Sequence, residues 1–151
     1  MPREIIREMV YRAYDAYWLG HRDFVDDMLD DDIEWTFHGP AEILPFPNHL
    51  HGKAAVLAAF KTIDETTESL ENKIDFILVD GEHAAVIGER KFRQRSSGRV
   101  AQYKFVALHL YRSSRLVEYQ LFLDSFGLAQ QLLERKIELP AIYHGQSEVK
   151  T

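Results

Sequence analysis

Of the seven histidines in the chain, His109 has the setting best suited to chemistry. It lies in the strand-like run Val100 to Tyr111, and an imidazole there can take up and return a proton near neutral pH. A structural histidine with both nitrogens satisfied is the plainer alternative. His38, His49 and His51 gather around one Pro- and His-rich segment, and His49-Leu50-His51 invites a metal reading. No acidic or cysteine partner stands at a metal-site spacing, and no helical HExxH occurs, so no metal is expected. The acidic run Asp30-Asp31-Asp32 lacks the spaced ligands of a cation cage and reads as a solvated loop closing a short helix. With no cysteine in the sequence, disulfides, thiolate nucleophiles and Cys-bound metals are excluded.

The chain must position these groups within one core, since 151 residues is the usual size of a single domain. One domain is expected over residues 1–136, with an irregular tail over 137–151. The formal net charge is −6 and the 18 Lys and Arg form no long block, which argues against a nucleic-acid partner. The local cluster Arg90, Lys91, Arg93 and Arg95 reads mainly as a solvated hairpin. The N-terminus is charged from its third residue and lacks the apolar core of a signal peptide. No apolar run reaches the roughly 20 residues that span a bilayer, so no membrane partner is expected and a cytoplasmic location is the default.

Ile5, Ile6, Met9, Val10, Ala13, Ala16 and Tyr17 recur at helical spacing and form the apolar stripe of a first helix, which Gly20 stops. Phe24, Met28 and Leu29 mark a shorter second helix, and Val56, Ala59, Phe60 and Ile63 a third after Gly52. That third helix is expected to end in the polar stretch Asp64 to Ser69. Ile33-Glu34-Trp35-Thr36-Phe37 alternates like a half-buried strand. Ile74 to Val79, Ala84 to Arg95, Val100 to Tyr111 and Leu116 to Asp124 continue as strands separated by short turn signals, so they pair antiparallel. The segment between the first strand and Gly52 reads as a loop whose Ile43, Leu44, Pro45 and Phe46 cover one end of the core. A helix with Leu128, Leu132 and Leu133 closes the domain. The fold class is therefore α+β: a strongly bent, mostly antiparallel sheet wrapped by three helices from the N-terminal half, plus a C-terminal helix.

This order of elements resembles the nuclear transport factor two-like superfamily. Ile33-Glu34-Trp35, His38-Gly39-Pro40, Leu44-Pro45-Phe46 and His51-Gly52-Lys53 resemble the SnoaL-like polyketide-cyclase and ketosteroid-isomerase-like family within it. Glu118-Tyr119-Gln120, Asp124 and Leu128 to Leu132 extend the likeness, which covers roughly residues 5–135. It implies a cone with an internal pocket and leaves the reaction open, because one fold carries many chemistries.

Carried over position by position, the resemblance removes several chemistries. The tyrosine and two aspartates of ketosteroid isomerases fall on Ala13, Phe37 and Ala107, none of which carries a proton. The Asp–Arg–Asp set of limonene-epoxide hydrolases falls on Phe92, Arg90 and Leu121, and an arginine alone stays protonated and cannot serve as base. The histidine and aspartate of SnoaL-type cyclases fall on Ala107 and Leu121. His109 is two residues from Ala107 and therefore shares its strand face.

The same alignments imply an inward set: Trp35 and Phe37; Arg90, Phe92 and Gln94; Tyr103, Phe105, Ala107 and His109; Tyr119, Leu121 and Leu123, with Tyr17 joining from the first helix. Its polar members His109, Arg90, Tyr103 and Tyr119 are the candidate catalytic groups. Tyr17, Trp35, Phe37, Phe92, Phe105 and Leu121 are the candidate ligand contacts. A mostly apolar wall with a few polar groups suits a small apolar molecule, and no cofactor is expected. Arg90 either pairs with Glu89 or Glu118 by reaching outward or faces a ligand. Val106, Leu108, Leu110 and Phe122 fall on the opposite face, and an apolar patch of that extent implies a homodimer packed through the sheets. Two functions stay open: proton-transfer chemistry of isomerase, cyclase or lyase type, or non-catalytic binding on the same fold.

Overall fold

The computed structural model describes residues 2–140. The first helix, α1 (Arg3–Trp18), buries Ile6, Val10 and Ala16. Gly20 then takes a positive φ of 81°, a conformation open to glycine at little cost, and the chain turns into α2 (Arg22–Met28). The strand β1 (Leu29–His38) follows without a loop, so the acidic run Asp30-Asp31-Asp32 lies within a strand instead of the expected loop. Its carboxylates are mainly solvent-facing, while Leu29 and Ile33 on the same strand are buried. Burial of those two apolar residues, spaced to face the core, outweighs the poor strand propensity of aspartate.

The segment after β1 is only partly a loop. His49–His51 forms a short strand, β2, pairing antiparallel with β1 so that Glu34 lies opposite His51 and Thr36 opposite His49. Ile43, Leu44 and Phe46 pack against the core, as their apolarity demands, and Phe46 meets the edge of Trp35 at 5.8 Å between centroids. Next comes α3 (Lys53–Thr66), which buries Val56 and Ala59.

Four long strands complete the sheet: β3 (Thr67–Asp80), β4 (His83–Gln94), β5 (Val100–Arg112) and β6 (Arg115–Leu123). Strand β3 starts seven residues before the expected Ile74, directly after the helix. The mainly polar stretch Thr67 to Lys73 pairs with Glu89 to Gln94 of β4, whose backbone groups need partners whatever the propensity of the opposing residues. The sheet order is β2-β1-β6-β5-β4-β3. All neighbours are antiparallel except β1 and β6, which run parallel and bring Trp35 opposite Tyr119 and Phe37 opposite Leu121. Register shifts on β3 and at Leu110/Tyr111 mark bulges, which increase bending locally. At Gly88 a Cβ would collide with the Lys73 carbonyl oxygen and press on the Phe105 ring, so glycine lets that ring lie across β4.

The helix α4 (Ser125–Leu133) is capped by Asp124, whose carboxylate accepts a hydrogen bond from the Gly127 amide at 2.9 Å. Leu128 packs with Phe92 and Ala101 in a satellite cluster at that end of the sheet. Residues 134–140 contain no further helix or strand, and the rest of the expected tail lies outside the described residues. No helix among the described residues is long and apolar enough to cross a membrane.

Candidate functional site

Helices α1, α2 and α3 lie against one face of the sheet and leave a cavity of about 150 Å³ between them and it. Tyr14, Tyr17 and Trp18 reach it from α1, Trp35 from β1, Arg90 from β4, and Tyr103, Phe105, His109 and Tyr111 from β5. Tyr119 and Leu121 come from β6. The alternation of β5 explains why four of these share one strand: residues 103, 105, 109 and 111 differ by even numbers and point to one face.

His109, Arg90, Tyr103 and Tyr119 therefore meet around one space, together with Tyr17, Trp35, Phe105 and Leu121. Phe37 and Phe92 do not line it. Phe37 is in the core, and Phe92 is buried in the cluster with Ala101 and Leu128. Tyr14 and Tyr111 are polar lining groups outside the expected set. Tyr111 follows His109 by two residues on the same strand, and Tyr14 follows Val10 by four on the same helix, so periodicity carried the signal in both cases. A tyrosine in an apolar stripe reads as packing.

His109 is buried, as is the neighbouring Tyr111. The His109 Nε2 lies 3.1 Å from the Tyr14 hydroxyl and its Nδ1 3.2 Å from the Tyr111 hydroxyl. A neutral imidazole has one donor and one acceptor nitrogen, so it donates to one tyrosine and accepts from the other. Tyr119 packs edge-on against the imidazole at 5.1 Å between centroids and stacks on Trp35 at 5.7 Å. Burial lowers the His109 pKa to about 3, because no carboxylate stands beside it to favour the charged form. Burial likewise raises the pKa values of Tyr14, Tyr111 and Tyr119, with Tyr14 and Tyr119 also influencing each other. The cluster is therefore uncharged near neutral pH: an imidazole held between phenols, with hydroxyl protons available to an oxygen placed in the cavity.

Arg90 occupies the other end, opposite Tyr103 in the β4–β5 register. Its Nη2 donates to Thr67 Oγ1 at 3.2 Å, and the guanidinium carbon lies 5.0 Å from the centre of the Phe92 ring. Among the described residues the buried Nε has no hydrogen-bond partner. Neither neighbouring carboxylate pairs with Arg90: Glu89 accepts from Gln102, and Glu118 accepts from Gln120. Desolvation works against its charge, but Tyr103, Tyr17 and Asp64 together more than offset this and its pKa is raised.

The three remaining clustered histidines stand on the other side of the sheet. His49 and His51 both contact the Glu34 carboxylate, and His38 stacks on Phe122 while bonding Gln120 at 2.8 Å. They belong to the outer surface and not to the cavity.

The family of SnoaL-like domains matches residues 10–119, most of the chain and nearly every element that lines the cavity. The chain belongs to the SnoaL-like domain family. No curated protein matches it. Among solved structures it is similar to a candidate isomerase from Rhodopseudomonas palustris, at 22% identity and a TM-score of 0.77 over 84% of this chain and 97% of that one. It is also similar to an NTF2-like protein from Burkholderia xenovorans LB400, at 22% identity and a TM-score of 0.76 over 87% and 98%. An LEH-like epoxide hydrolase from M. tuberculosis shares 16% identity and a TM-score of 0.69 over 84% and 88%. Members of this SnoaL-like and NTF2-like fold include isomerases, cyclases and epoxide hydrolases. At these identities the likeness shows the fold alone.

Proposed function

We propose that the chain binds a small, largely apolar molecule in the cavity and directs one oxygen of it at the Tyr14–His109–Tyr119 cluster. The contact between the Tyr14 hydroxyl and His109 Nε2 carries this reading. When His109 donates to Tyr14, the phenolic proton of Tyr14 is free to point at a ligand oxygen, and Tyr119 supplies a second donor from β6. Two neutral donors in an apolar surrounding stabilise negative charge developing on that oxygen far better than water does. That is the electrostatic requirement of isomerase, cyclase and lyase reactions that pass through an enolate-like species; no carboxylate lines the cavity, so the carbon-bound proton leaves to a solvent base. His109 serves as the proton relay behind Tyr14, while Tyr103 and Arg90 orient the rest of the molecule.

One observation favours a second reading, non-catalytic binding. His109 has both nitrogens occupied and a pKa lowered to about 3, which makes it a weak base. Incubation with 1-tetralone in D2O separates the two by NMR. The catalytic reading expects deuterium to enter the carbon next to the carbonyl, and expects Tyr14→Phe and His109→Ala to reduce exchange at least 100-fold while the ketone still binds. Binding without exchange in the wild type supports the non-catalytic reading. Failure of the ketone to bind removes both.

We also propose a homodimer formed through the outer sheet face. Val106, Leu108 and Phe122 are each nearly two-fifths exposed there, and Phe76 and Leu78 of β3 more than half. Burying such a patch against a second copy is favourable at roughly 25 cal/mol per Å². Light scattering coupled to gel filtration at micromolar concentration should give twice the 17.6 kDa chain mass; the single-chain mass rules the dimer out.

A further inference from the structure

Beside the apolar cavity lies a second recess of about 360 Å³ with a different character. Tyr17, Trp18 and Arg90 line both, so these three side chains stand at the boundary between them. The recess opens at the α1–α2 turn, where Leu19 and Gly20 are exposed, and its far wall is Thr67 and Ser69 at the start of β3. Arg22, Arg90 and Arg95 all line it, against one carboxylate, Asp64. Asp64 is committed to Arg22, which forks onto both of its oxygens at 2.6 and 2.8 Å and also donates to the Tyr17 carbonyl at 2.7 Å. Arg95 donates to the Asp64 backbone carbonyl at 3.3 Å, which leaves its charge uncompensated. Arg90 donates to the neutral Thr67 hydroxyl, has the Tyr103 hydroxyl nearby and, among the described residues, keeps a buried, unpartnered Nε. On a chain of net charge −6, this recess holds an excess of two positive charges.

A buried guanidinium nitrogen without an acceptor is costly, and an incoming anion is the partner that relieves the cost. The guanidinium edge presents parallel N–H donors that fit a carboxylate bidentately. The apolar cavity continues inward from the same residue. We infer that the ligand is an apolar carboxylic acid, with its carboxylate held by Arg90 and Arg95 at the boundary and its hydrocarbon body in the cavity. This deepens the proposed function and rests on it, since the body must enter the cavity for the carboxylate to reach Arg90. It also gives the site direction: six residues of β5 separate Tyr103, opposite Arg90, from His109, a backbone span of about 20 Å. The anionic end and the phenol cluster thus address different ends of one molecule.

The matched pair 4-cyclohexylbutanoate and 4-cyclohexylbutanamide tests this at pH 7.5. Both tryptophans of the chain, Trp18 and Trp35, line the cavity and report entry by fluorescence, with calorimetry giving the affinities. The acid should bind at least tenfold tighter than the amide, and the preference should weaken as salt is raised. Arg90→Gln should bring the two affinities within twofold of each other. Arg95→Gln, at a more exposed position, should reduce the acid preference about threefold, so the result does not depend on the folding of one variant. If the wild type binds both compounds equally, or Arg90→Gln keeps the preference, the carboxylate site is wrong and the apolar-ligand reading stands. If neither compound enters, both readings fall together.

Discussion

Phe37→Ala should cost the fold about 3–5 kcal/mol, the range for removing a buried phenylalanine from a close-packed core. Phe37 is 1% exposed, sits in the parallel register opposite Leu121, and packs its ring over the backbone at Gly39, where a Cβ would strike it. Its amide also donates to the Asn48 carbonyl at 2.7 Å and anchors the chain leading into β2. The truncation leaves that bond intact and opens a void where β1, β6 and the 39–48 segment meet. The melting temperature should fall by about 10 °C or more, and the urea midpoint should move with little change in slope. The ring does not line the cavity, so the folded fraction of the variant should bind 1-tetralone with wild-type affinity. A stability loss under 1 kcal/mol would show that Phe37 is not core. A loss of affinity in fully folded protein would place it at the ligand.

The contrast between Phe37 and Trp35 shows what the sequence could and could not convey. Both stand on the inward face of β1 by parity, and parity is what alternation reports. Whether an inward side chain touches a ligand or only its neighbours depends on how far the covering helices stand off the sheet at that point. That distance is set by side chains on α1 to α3, remote in sequence. Strands β4 to β6 were legible because their turns are short and their apolar residues alternate. The start of β3 was not, because Thr67 to Lys73 has no strand signal and owes its conformation to pairing with β4. Strand β2 has three residues, too few to show a period. At the site, His109 was legible as the one histidine inside an apolar strand. Its partners were harder to foresee, since Tyr14 is 95 residues away and lies on a helix whose stripe looks purely hydrophobic.

His109 also predicts how stability depends on pH. Its pKa is about 3 in the folded chain, against about 6.5 when the chain is unfolded and the imidazole hydrated. Between those values the unfolded chain carries a proton on His109 that the folded chain does not, so stability rises with pH across the window and falls on acidification. The contribution is complete above about pH 6.5 and shrinks by a little over 1 kcal/mol for each unit below it, reaching about 2–3 kcal/mol of loss by pH 4.5. The groups around the imidazole are Tyr14 from α1, Tyr111 on its own strand, Tyr119 from β6 and the apolar Ala84 opposite it on β4. None is an acid that could hold an imidazolium in place. The chain has six other histidines, so the measurement is a difference between the two proteins. Urea unfolding of the wild type and of His109→Gln, compared from pH 7.5 to 4.5, should converge as the pH falls, because glutamine keeps the hydrogen bonding and removes the titration. Parallel curves would mean that His109 is protonated in the fold. That result would restore it as a strong proton donor and favour the catalytic reading over simple binding.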